Sequence, residues 1–237
     1  MGTPRRAGLV AAVLSGGLVA ASGADAVPSA LHHVTTTVPV HGHVTRLVVD
    51  DNSGAVTVQA GTTSSVRRSS DWNLIAPKVA QTLHDGTLTV TTRCPNAIPE
   101  NNCGVDLVVT VPARTRTDVH AAVGHVSLHG MSGDASVDAA VGDVTISHAR
   151  SRHVTVDSAV GDLRISLARS PRMVRLSSPV GDIQLRVPAG TYDASAVSQL
   201  GAAKVRGITR RASSHRHLSA RSVTGDVHIL GVTPAAG

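Results

Sequence analysis

The second half of this 237-residue chain repeats a short segment built around one glycine. Six copies align on that glycine, and they read VHAAVGHVSL, VDAAVGDVTI, VDSAVGDLRI, LSSPVGDIQL, AVSQLGAAKV and ARSVTGDVHI. Successive glycines are 18, 19, 20, 20 and 24 residues apart. They are Gly124, Gly142, Gly161, Gly181, Gly201 and Gly225. A unit this short cannot bury an apolar face alone, so the repeats must stack on one another.

Apolar side chains alternate with polar ones on both sides of each glycine. The apolar columns lie five residues before the glycine and two and four residues after it, as Val137, Val144 and Ile146 illustrate. The residue directly before the glycine is also mostly apolar, and we predict that this column joins the other three in the core. It consists of Val123, Val141, Val160, Val180, Leu200 and Thr224. Strict alternation is typical of β-strands and excludes a helix.

Each glycine marks a bend between two strands. Inward positions on its two sides lie three residues apart, so the strand phase slips there and the chain must turn. Glycine tolerates the backbone angles of a sharp bend, and a following aspartate can accept hydrogen bonds from turn amides. The aspartates are Asp143, Asp162, Asp182 and Asp226, and His125 and Ala202 replace them in two repeats. We predict that the glycines and aspartates are structural turn residues.

These patterns predict an all-β protein, a β-solenoid with stacked coils of about 18–20 residues. Six coils at a strand spacing of about 4.8 Å would rise about 28 Å. The N-terminal half is a degenerate version: residues 45–59 repeat the strand, glycine and strand, and residues 82–92 indicate a hairpin around Asp85 and Gly86. We expect this part, which includes Trp72, to cap the open end of the core.

The N-terminal 26 residues are typical of an export signal. Arg5 and Arg6 precede an apolar stretch, and the triplet Ala24-Asp25-Ala26 fits a cleavage site, so we expect the mature chain to begin at Val27. An uncleaved anchor is the alternative, and only that would bring the chain into contact with a membrane. We predict a secreted or cell-envelope location. The expected divisions are a signal peptide (1–26), an N-terminal linker (27–44), a β-solenoid domain (45–230, with regular repeats at 117–230) and a C-terminal tail (231–237).

Two cysteines, Cys94 and Cys103, lie nine residues apart in a segment rich in turn-forming residues. In an oxidising compartment we expect them to form a disulfide, which would stabilise the fold by roughly 2 to 3 kcal/mol. A metal-binding pair is the alternative, but the spacing is not that of a C-x-x-C motif and the chain has no second cysteine pair.

The composition excludes several binding modes. With one Trp, one Tyr and no Phe, the chain cannot build an aromatic-lined sugar groove or a base-stacking platform. The formal net charge of +6 permits attraction to polyanions, but we expect no specific nucleic-acid binding.

Arginines cluster in the loops between coils. One group occupies equivalent loops and would line one edge of the stack, where it could bind a phosphate- or carboxylate-rich polymer. This candidate polyanion-binding edge consists of Arg150, Arg152, Arg169, Arg172 and Arg175. A second group crowds the last insert without any acidic residue, and it consists of Arg206, Arg210, Arg211 and Arg216. Solvated arginine turns are the alternative interpretation of both groups.

Other side chains invite interpretation as a catalytic or metal site. The stacked aspartates could hold Ca²⁺ or supply a carboxylate pair for sugar cleavage, but the denser glycine-rich loops of calcium-binding β-rolls are absent. His120 and Asp138 occupy one outward column, yet no activated Ser or Cys accompanies them in a recognisable motif. We therefore predict no catalytic residue, no cofactor and no metal, and we expect the aspartates to cap the corners by hydrogen bonds.

The segments LVVDDNSGAVTV, DGTLTV and VDLVVTVP, followed by the VGDV-type repeats, together resemble the bacterial putative-adhesin domain family of unknown function. The resemblance covers residues 45–230. It implies an exported β-solenoid without established catalytic residues. The partner stays unknown, and a cell-envelope polymer or a surface protein are the candidates.

Three functions remain open. The leading one is an exported non-catalytic scaffold or adhesion-type module at the bacterial cell envelope. The alternative is a binder of anionic envelope polymers that uses the arginine edge, and the third is a β-helix enzyme that cleaves glycans.

Overall fold

The computed structural model describes residues 31–95 and 101–233, and within these ranges the chain forms twenty β-strands and no helix. Accordingly, no helix there is long and apolar enough to cross a membrane. The strands are β1 (His32–Pro39), β2 (Arg46–Asp51), β3 (Val56–Ala60), β4 (Ser65–Trp72), β5 (Lys78–His84), β6 (Thr87–Arg93), β7 (Gly104–Val111), β8 (Arg116–Val123), β9 (Val126–His129), β10 (Ala135–Val141), β11 (Val144–Ala149), β12 (His153–Val160), β13 (Leu163–Leu167), β14 (Met173–Val180), β15 (Ile183–Pro188), β16 (Thr191–Leu200), β17 (Ala203–Arg206), β18 (Thr209–Arg210), β19 (His217–Thr224) and β20 (Val227–Val232). The predicted signal peptide lies outside the described residues.

The strands form two ten-stranded sheets around one aliphatic core. Each repeat gives the strand before its glycine to one sheet and the strand after it to the other, as β10 and β11 do. Neighbouring coils pair in parallel and in register, so that Val137 lies between Val119 and Val156. The all-β solenoid predicted from the sequence is confirmed.

The last two coils do not stack in the order of the sequence. Strand β19 pairs with β14 on one side and β16 on the other, and β20 lies between β15 and β17. The coil that contains Gly225 is therefore inserted between the coils of Gly181 and Gly201. The long insert before β19 makes this return possible, and its short strand β18 covers the outer edge of β16.

Three of the four columns predicted as core are buried in every repeat except that of Gly201, whose coil ends the stack. Val137, Val144 and Ile146 are each at most 1% exposed. The prediction for the column directly before the glycine is wrong, because Val141 is 48% exposed. The strand alternation holds as far as the buried Ala139, and the chain then begins to turn, so that the next two side chains both face outward. The bend occupies these residues as well as the glycine itself. Outward valine and leucine side chains therefore follow one corner of the stack, at Val123, Val141, Val160, Val180 and Leu200.

Small residues fill the column three before the glycine, where the coil is narrow. Alanine stands there in the first coils and serine in the later ones, with Ala139 2% and Ser178 0% exposed. The Ser178 hydroxyl donates a hydrogen bond to the carbonyl of Gly161 in the adjacent coil at 2.7 Å. A buried hydroxyl is thus satisfied by the backbone of the neighbouring corner.

Antiparallel strands close the N-terminal end of the stack. Strand β4 pairs with both β1 and β7, and β5 forms a hairpin with β6 whose turn residues Asp85 and Gly86 have φ values of 47° and 72°. Trp72, at the end of β4, stacks on His32 with the ring centroids 5.4 Å apart. The cap is as predicted, but the segment 27–44, predicted as a linker, contains β1 and so adds an edge strand to the sheet.

Candidate functional site

The glycine-aspartate corners form a ladder of hydrogen bonds along the stack. At each such corner the glycine has φ between +137° and +154°, and one aspartate oxygen accepts the N–H that follows the glycine of the next coil. The bonds run from the N–H of Asp162 to Asp143 (2.9 Å), of Asp182 to Asp162 (2.8 Å), of Asp226 to Asp182 (2.7 Å) and of Ala202 to Asp226 (2.8 Å). These aspartates therefore bind neighbouring coils together.

The second carboxylate oxygens of Asp143 and Asp162 share one arginine. Arg164 contacts Asp162 at 2.8 Å and Asp143 at 3.6 Å. Within residues 31–95 and 101–233, no group of three or more His, Cys, Asp or Glu side chains is arranged to hold a metal ion.

Histidine and aspartate also pair across coils on the outer surface. His120 lies 3.8 Å from Asp138, and His153 lies 3.0 Å from Asp134. A third pair, His217 with Asp193 at 3.1 Å, joins the last two coils of the stack. Exposed pairs of this kind contribute little to stability individually. Each of these aspartates already has a histidine as its partner.

The two cysteines lie at the capped end, where Cys94 and Cys103 are joined in a disulfide. Asn52 holds this segment against the core, since its side chain donates to the Cys94 carbonyl at 3.0 Å and accepts from the Cys94 N–H at 2.8 Å. The Ser53 hydroxyl donates to the carbonyl of Cys103 at 3.2 Å. The cysteine loop is thus attached to the first glycine corner.

A buried carboxyl group lies beside this segment. Asp51 is 2% exposed, accepts a hydrogen bond from the Thr92 hydroxyl through Oδ1, and has no partner for Oδ2. Burial raises the pKa of Asp51 to about 6, since the loss of water disfavours the charged form. The hydrogen bond from Thr92 acts against this shift, and the nearby carboxylates of Asp106 and Asp50 add to it.

Replacing Asp51 by asparagine should raise the free energy of unfolding at pH 8 by up to about 3 kcal/mol. The native state holds the Asp51 proton more tightly than the unfolded chain, whose Asp pKa is near 3.8. The wild type therefore loses stability as the pH rises from about 4 to above 6. Asparagine cannot ionise, so this slope should disappear. Urea titrations between pH 4 and pH 8 measure the difference.

The neighbouring Asp50 is the matched control, because a hydrogen bond from Arg93 lowers the pKa of this exposed carboxyl. Its contribution has the opposite sign, since it is present above the unfolded pKa and is lost as the pH falls. Asp50→Asn should therefore destabilise the protein at pH 8. Equal destabilisation by both substitutions would contradict our account of Asp51.

The structure divides the five arginines predicted as one edge. Arg175 lies in the middle of β14 beside Asp157 and Arg221, on the outer face of the sheet and away from the loops. Burial, followed by the negative charge of Asp138, raises the pKa of Asp157, and Arg175 acts against that rise. Arg175 therefore belongs to a separate surface, and the prediction that it extends the edge is wrong.

Two of the other predicted arginines stack with one that the sequence placed elsewhere. Arg152, Arg172 and Arg216 each stand directly before a strand of the same sheet, namely β12, β14 and β19. The N–H of Arg172 bonds the carbonyl of Arg152 at 2.8 Å, and the N–H of His217 bonds the carbonyl of Arg172 at 2.9 Å. These three residues, which we name the arginine ladder, therefore occupy equivalent positions in three consecutive coils.

Arg169 and His215 line the same open hollow as the arginine ladder, with Ser170 and Pro171 beneath. Arg150 is exposed on the neighbouring coil and does not line this hollow. Among the described residues, no carboxylate oxygen lies within 4 Å of a guanidinium nitrogen of the ladder arginines, Arg169 or Arg150. The hollow is therefore a concentration of unpaired positive charge.

The sequence also indicates that Arg216 is equivalent to Arg152 and Arg172, although Arg216 lies in the last insert. Each ladder arginine stands two residues before the first inward side chain of its strand, in RHVTV, RMVRL and RHLSA. All three arginines also stand nine residues before the glycine of their repeat, Gly161, Gly181 and Gly225, so alignment on the glycines contains this match. The coil order then brings the third copy next to the second.

Comparison with known proteins gives a family and several similar folds. The profile of the family described as Toastrack DUF4097 matches residues 44–232. No curated protein matches the chain. Similar solved structures are a "putative adhesin" from Bacteroides fragilis (15% identity, 84% of this chain and 97% of that chain, TM-score 0.49), a "putative cell adhesion protein" from Clostridium sporogenes (13%, 84% and 99%, 0.40) and a "putative adhesin" from Parabacteroides merdae (10%, 84% and 96%, 0.31).

Proposed function

Because this chain belongs to the Toastrack DUF4097 family, we propose that it is an exported, non-catalytic module of the bacterial cell envelope that serves as a scaffold or in adhesion. The observation that carries this proposal is the closely filled interior of the stack. Ile146, Ile165 and Leu185 in successive coils are at most 1% exposed, and equivalent side chains continue along the sheets. A partner must therefore bind on the outer faces of the coils, as expected of a rigid scaffold.

Retention on isolated envelopes tests this function against glycan cleavage. We expect the chain from Val27 onward to be retained by envelopes and to release no soluble sugar. The carboxylates of Asp143 and Asp162 each accept a hydrogen bond from the backbone N–H of the next glycine-aspartate corner, which supports a structural role for them. Sugar release that is lost on replacement of Asp143 by asparagine, in a variant that still melts cooperatively, would overturn the proposal.

Export makes a separate prediction about the mature protein. Intact mass spectrometry of material recovered from the envelope should show a chain that begins at Val27 and carries one bridge between Cys94 and Cys103. The expected mass is about 2 Da below that of the reduced sample, which serves as the control. A full-length mass, or two alkylated thiols without prior reduction, would contradict export with an oxidised pair.

A second candidate function is binding of anionic envelope polymers by the arginine edge. The specific observation in its favour is that Arg152 and Arg172 stack in register without a carboxylate partner. Exposed like charges at strand spacing repel each other, and a polyanion would relieve that repulsion.

Reversing two charges on this edge tests the second function. We expect Arg152→Glu with Arg172→Glu to reduce retention on envelopes at low salt by about tenfold or more, because two charge-assisted hydrogen-bonding groups are lost. The matched control is Arg67→Glu with Arg186→Glu, which makes the same charge change on exposed positions of the opposite sheet. If both double variants lose the same amount of envelope retention, the effect comes from net charge alone, and the proposal of a defined arginine edge is overturned.

A further inference from the structure

We propose that the arginine ladder, with Arg169 and His215 beside it, is a binding site for a phosphate-rich chain that runs along the solenoid axis. This inference rests on the second proposed function and deepens it, because it names the site and the chemistry of the ligand. It also depends on Arg216, which the order of the coils brings directly next to Arg172.

The order of the coils creates the site. Arg216 follows Arg172 by 44 residues, yet its coil lies directly next to that of Arg172. If the coils stacked in the order of the sequence, Tyr192 would take this position, since the N–H of the next residue, Asp193, bonds the carbonyl of Arg216 at 2.8 Å. Tyr192 is fully buried, and so it would end the charged column after two arginines.

The nearest carboxylates in the column that follows the ladder are already engaged. Asp134 is paired with His153, and Asp193 is paired with His217, in each case across neighbouring coils. The guanidinium groups of the ladder therefore face solvent without a counter-charge from the described part of the chain. This arrangement is unfavourable in the free protein and becomes favourable when an anion lies in the hollow.

The length of the ladder determines what kind of anion fits. Three coils span two strand spacings, or about 10 Å, which exceeds the width of a single oxyanion. The ligand must therefore carry several negative groups in a row. Phosphate suits the site better than carboxylate. Its tetrahedral oxygens can accept hydrogen bonds from guanidinium groups of different coils, whereas a planar carboxylate pairs with the two parallel N–H donors of one guanidinium group.

Tyr192 supports the far end of the hollow from beneath. Its hydroxyl lies 2.8 Å from the Pro188 carbonyl and 3.1 Å from the hydroxyl of Ser170, a residue that lines the hollow. The Arg216 guanidinium lies 6.0 Å from the centroid of the Tyr192 ring. Arg216 thus lies over the ring of a buried, hydrogen-bonded side chain, at the outer range of a cation–π contact, which favours its position beside the hollow before a ligand binds.

Calorimetric titration of the chain from Val27 onward tests the site, with linear polyphosphate, tripolyphosphate and orthophosphate as probes. We expect polyphosphate and tripolyphosphate to bind. Orthophosphate should bind at least about tenfold more weakly than either, because it reaches only part of the arginine ladder. Arg216→Ala should weaken polyphosphate binding about tenfold. Arg216→Lys should also weaken it, since lysine keeps the positive charge but lacks the paired N–H donors of the guanidinium group. The control Arg206→Ala removes an arginine from the opposite sheet and should bind as the wild type does.

Several outcomes would overturn the inference. They are absence of polyphosphate binding, wild-type binding by Arg216→Ala, or equal affinity for a polygalacturonate of the same charge. If Arg216→Ala binds normally while Arg152→Glu with Arg172→Glu loses envelope retention, the arginine edge stands and the ladder fails. Binding to vesicles of phosphatidylglycerol is the last measurement. Arg216-dependent binding to them that displaces polyphosphate would assign the site to a lipid surface instead of a chain.

Discussion

Replacing Gly161 by alanine is expected to lower the free energy of unfolding by more than about 4 kcal/mol, or to prevent folding of the repeats altogether. A Cβ at this position would lie 2.1 Å from the carbonyl oxygen of Gly142 and 2.6 Å from its carbon, both in the adjacent coil. The clashing atoms are backbone atoms of the hydrogen-bonded ladder, so they cannot move aside as a side chain can. The φ of +150° adds strain for any other residue.

Two controls separate this effect from a general sensitivity of the coil. Gly104→Ala adds the same methyl group at a site where no atom lies within 4 Å, and it should leave the melting temperature nearly unchanged. Val160→Ile enlarges the outward residue directly before Gly161 and should also be nearly neutral, because that side chain is 44% exposed. Thermal melts measure all three variants. A melting temperature for Gly161→Ala within a few degrees of that for Gly104→Ala would contradict the close approach of the corners.

The same contact explains the rhythm of the sequence. At successive corners the carbonyl oxygen of one glycine occupies the place that the Cβ of the next would need, with distances of 1.7 to 2.2 Å for the corners from Gly124 to Gly225. A glycine is therefore required once in every coil. The interval between glycines reports the length of a coil, which is why alignment on glycine predicted the solenoid.

The coil order could not be predicted from the repeats alone. Each repeat carries the same strand, glycine and strand pattern, so local sequence does not decide which neighbour a coil pairs with. The Gly201 repeat nevertheless contains a signal of its end position, because Ala203 replaces the larger aliphatic residue found two after the glycine in every other repeat. Ala203 is exposed in the structure, as befits the last coil of a stack.

The candidate site was predictable in the same partial way. The loop pattern predicted that Arg152, Arg169 and Arg172 lie near one another, because equivalent loops of a solenoid stack, and the three line one hollow; that this edge binds a polyanion stays a prediction. Arg175 was misassigned because it lies within β14, where strand geometry turns it to the outer face of the sheet. Arg216 was assigned to the last insert, although it stands nine residues before Gly225 as Arg172 does before Gly181. Only its direct contact with the Arg172 coil depends on pairing between distant parts of the chain.

Replacing Ile146 by aspartate is expected to destabilise the protein by more than about 4 kcal/mol. Ile146 is 1% exposed and pairs with Leu128 and Ile165 in the adjacent coils, so the substitution buries a carboxylate among aliphatic side chains. Burial of the isoleucine side chain, worth up to about 3 kcal/mol, is lost as well. Chemical denaturation, or the fraction of protein recovered as soluble monomer if the variant unfolds, measures the effect.

Thr145→Asp is the matched control, because it places the same carboxylate one residue away on the outward face. Thr145 is only partly buried and pairs with Arg164, whose guanidinium already contacts two aspartates, so an added carboxylate there has a cation within reach. We expect a change within about 0.5 kcal/mol of the wild type. Arg164→Asp, by contrast, would remove this cation from Asp143 and Asp162 and should be mildly destabilising. Since alternation alone distinguishes Thr145 from Ile146, equal damage from aspartate at both positions would mean that the inward column is misassigned.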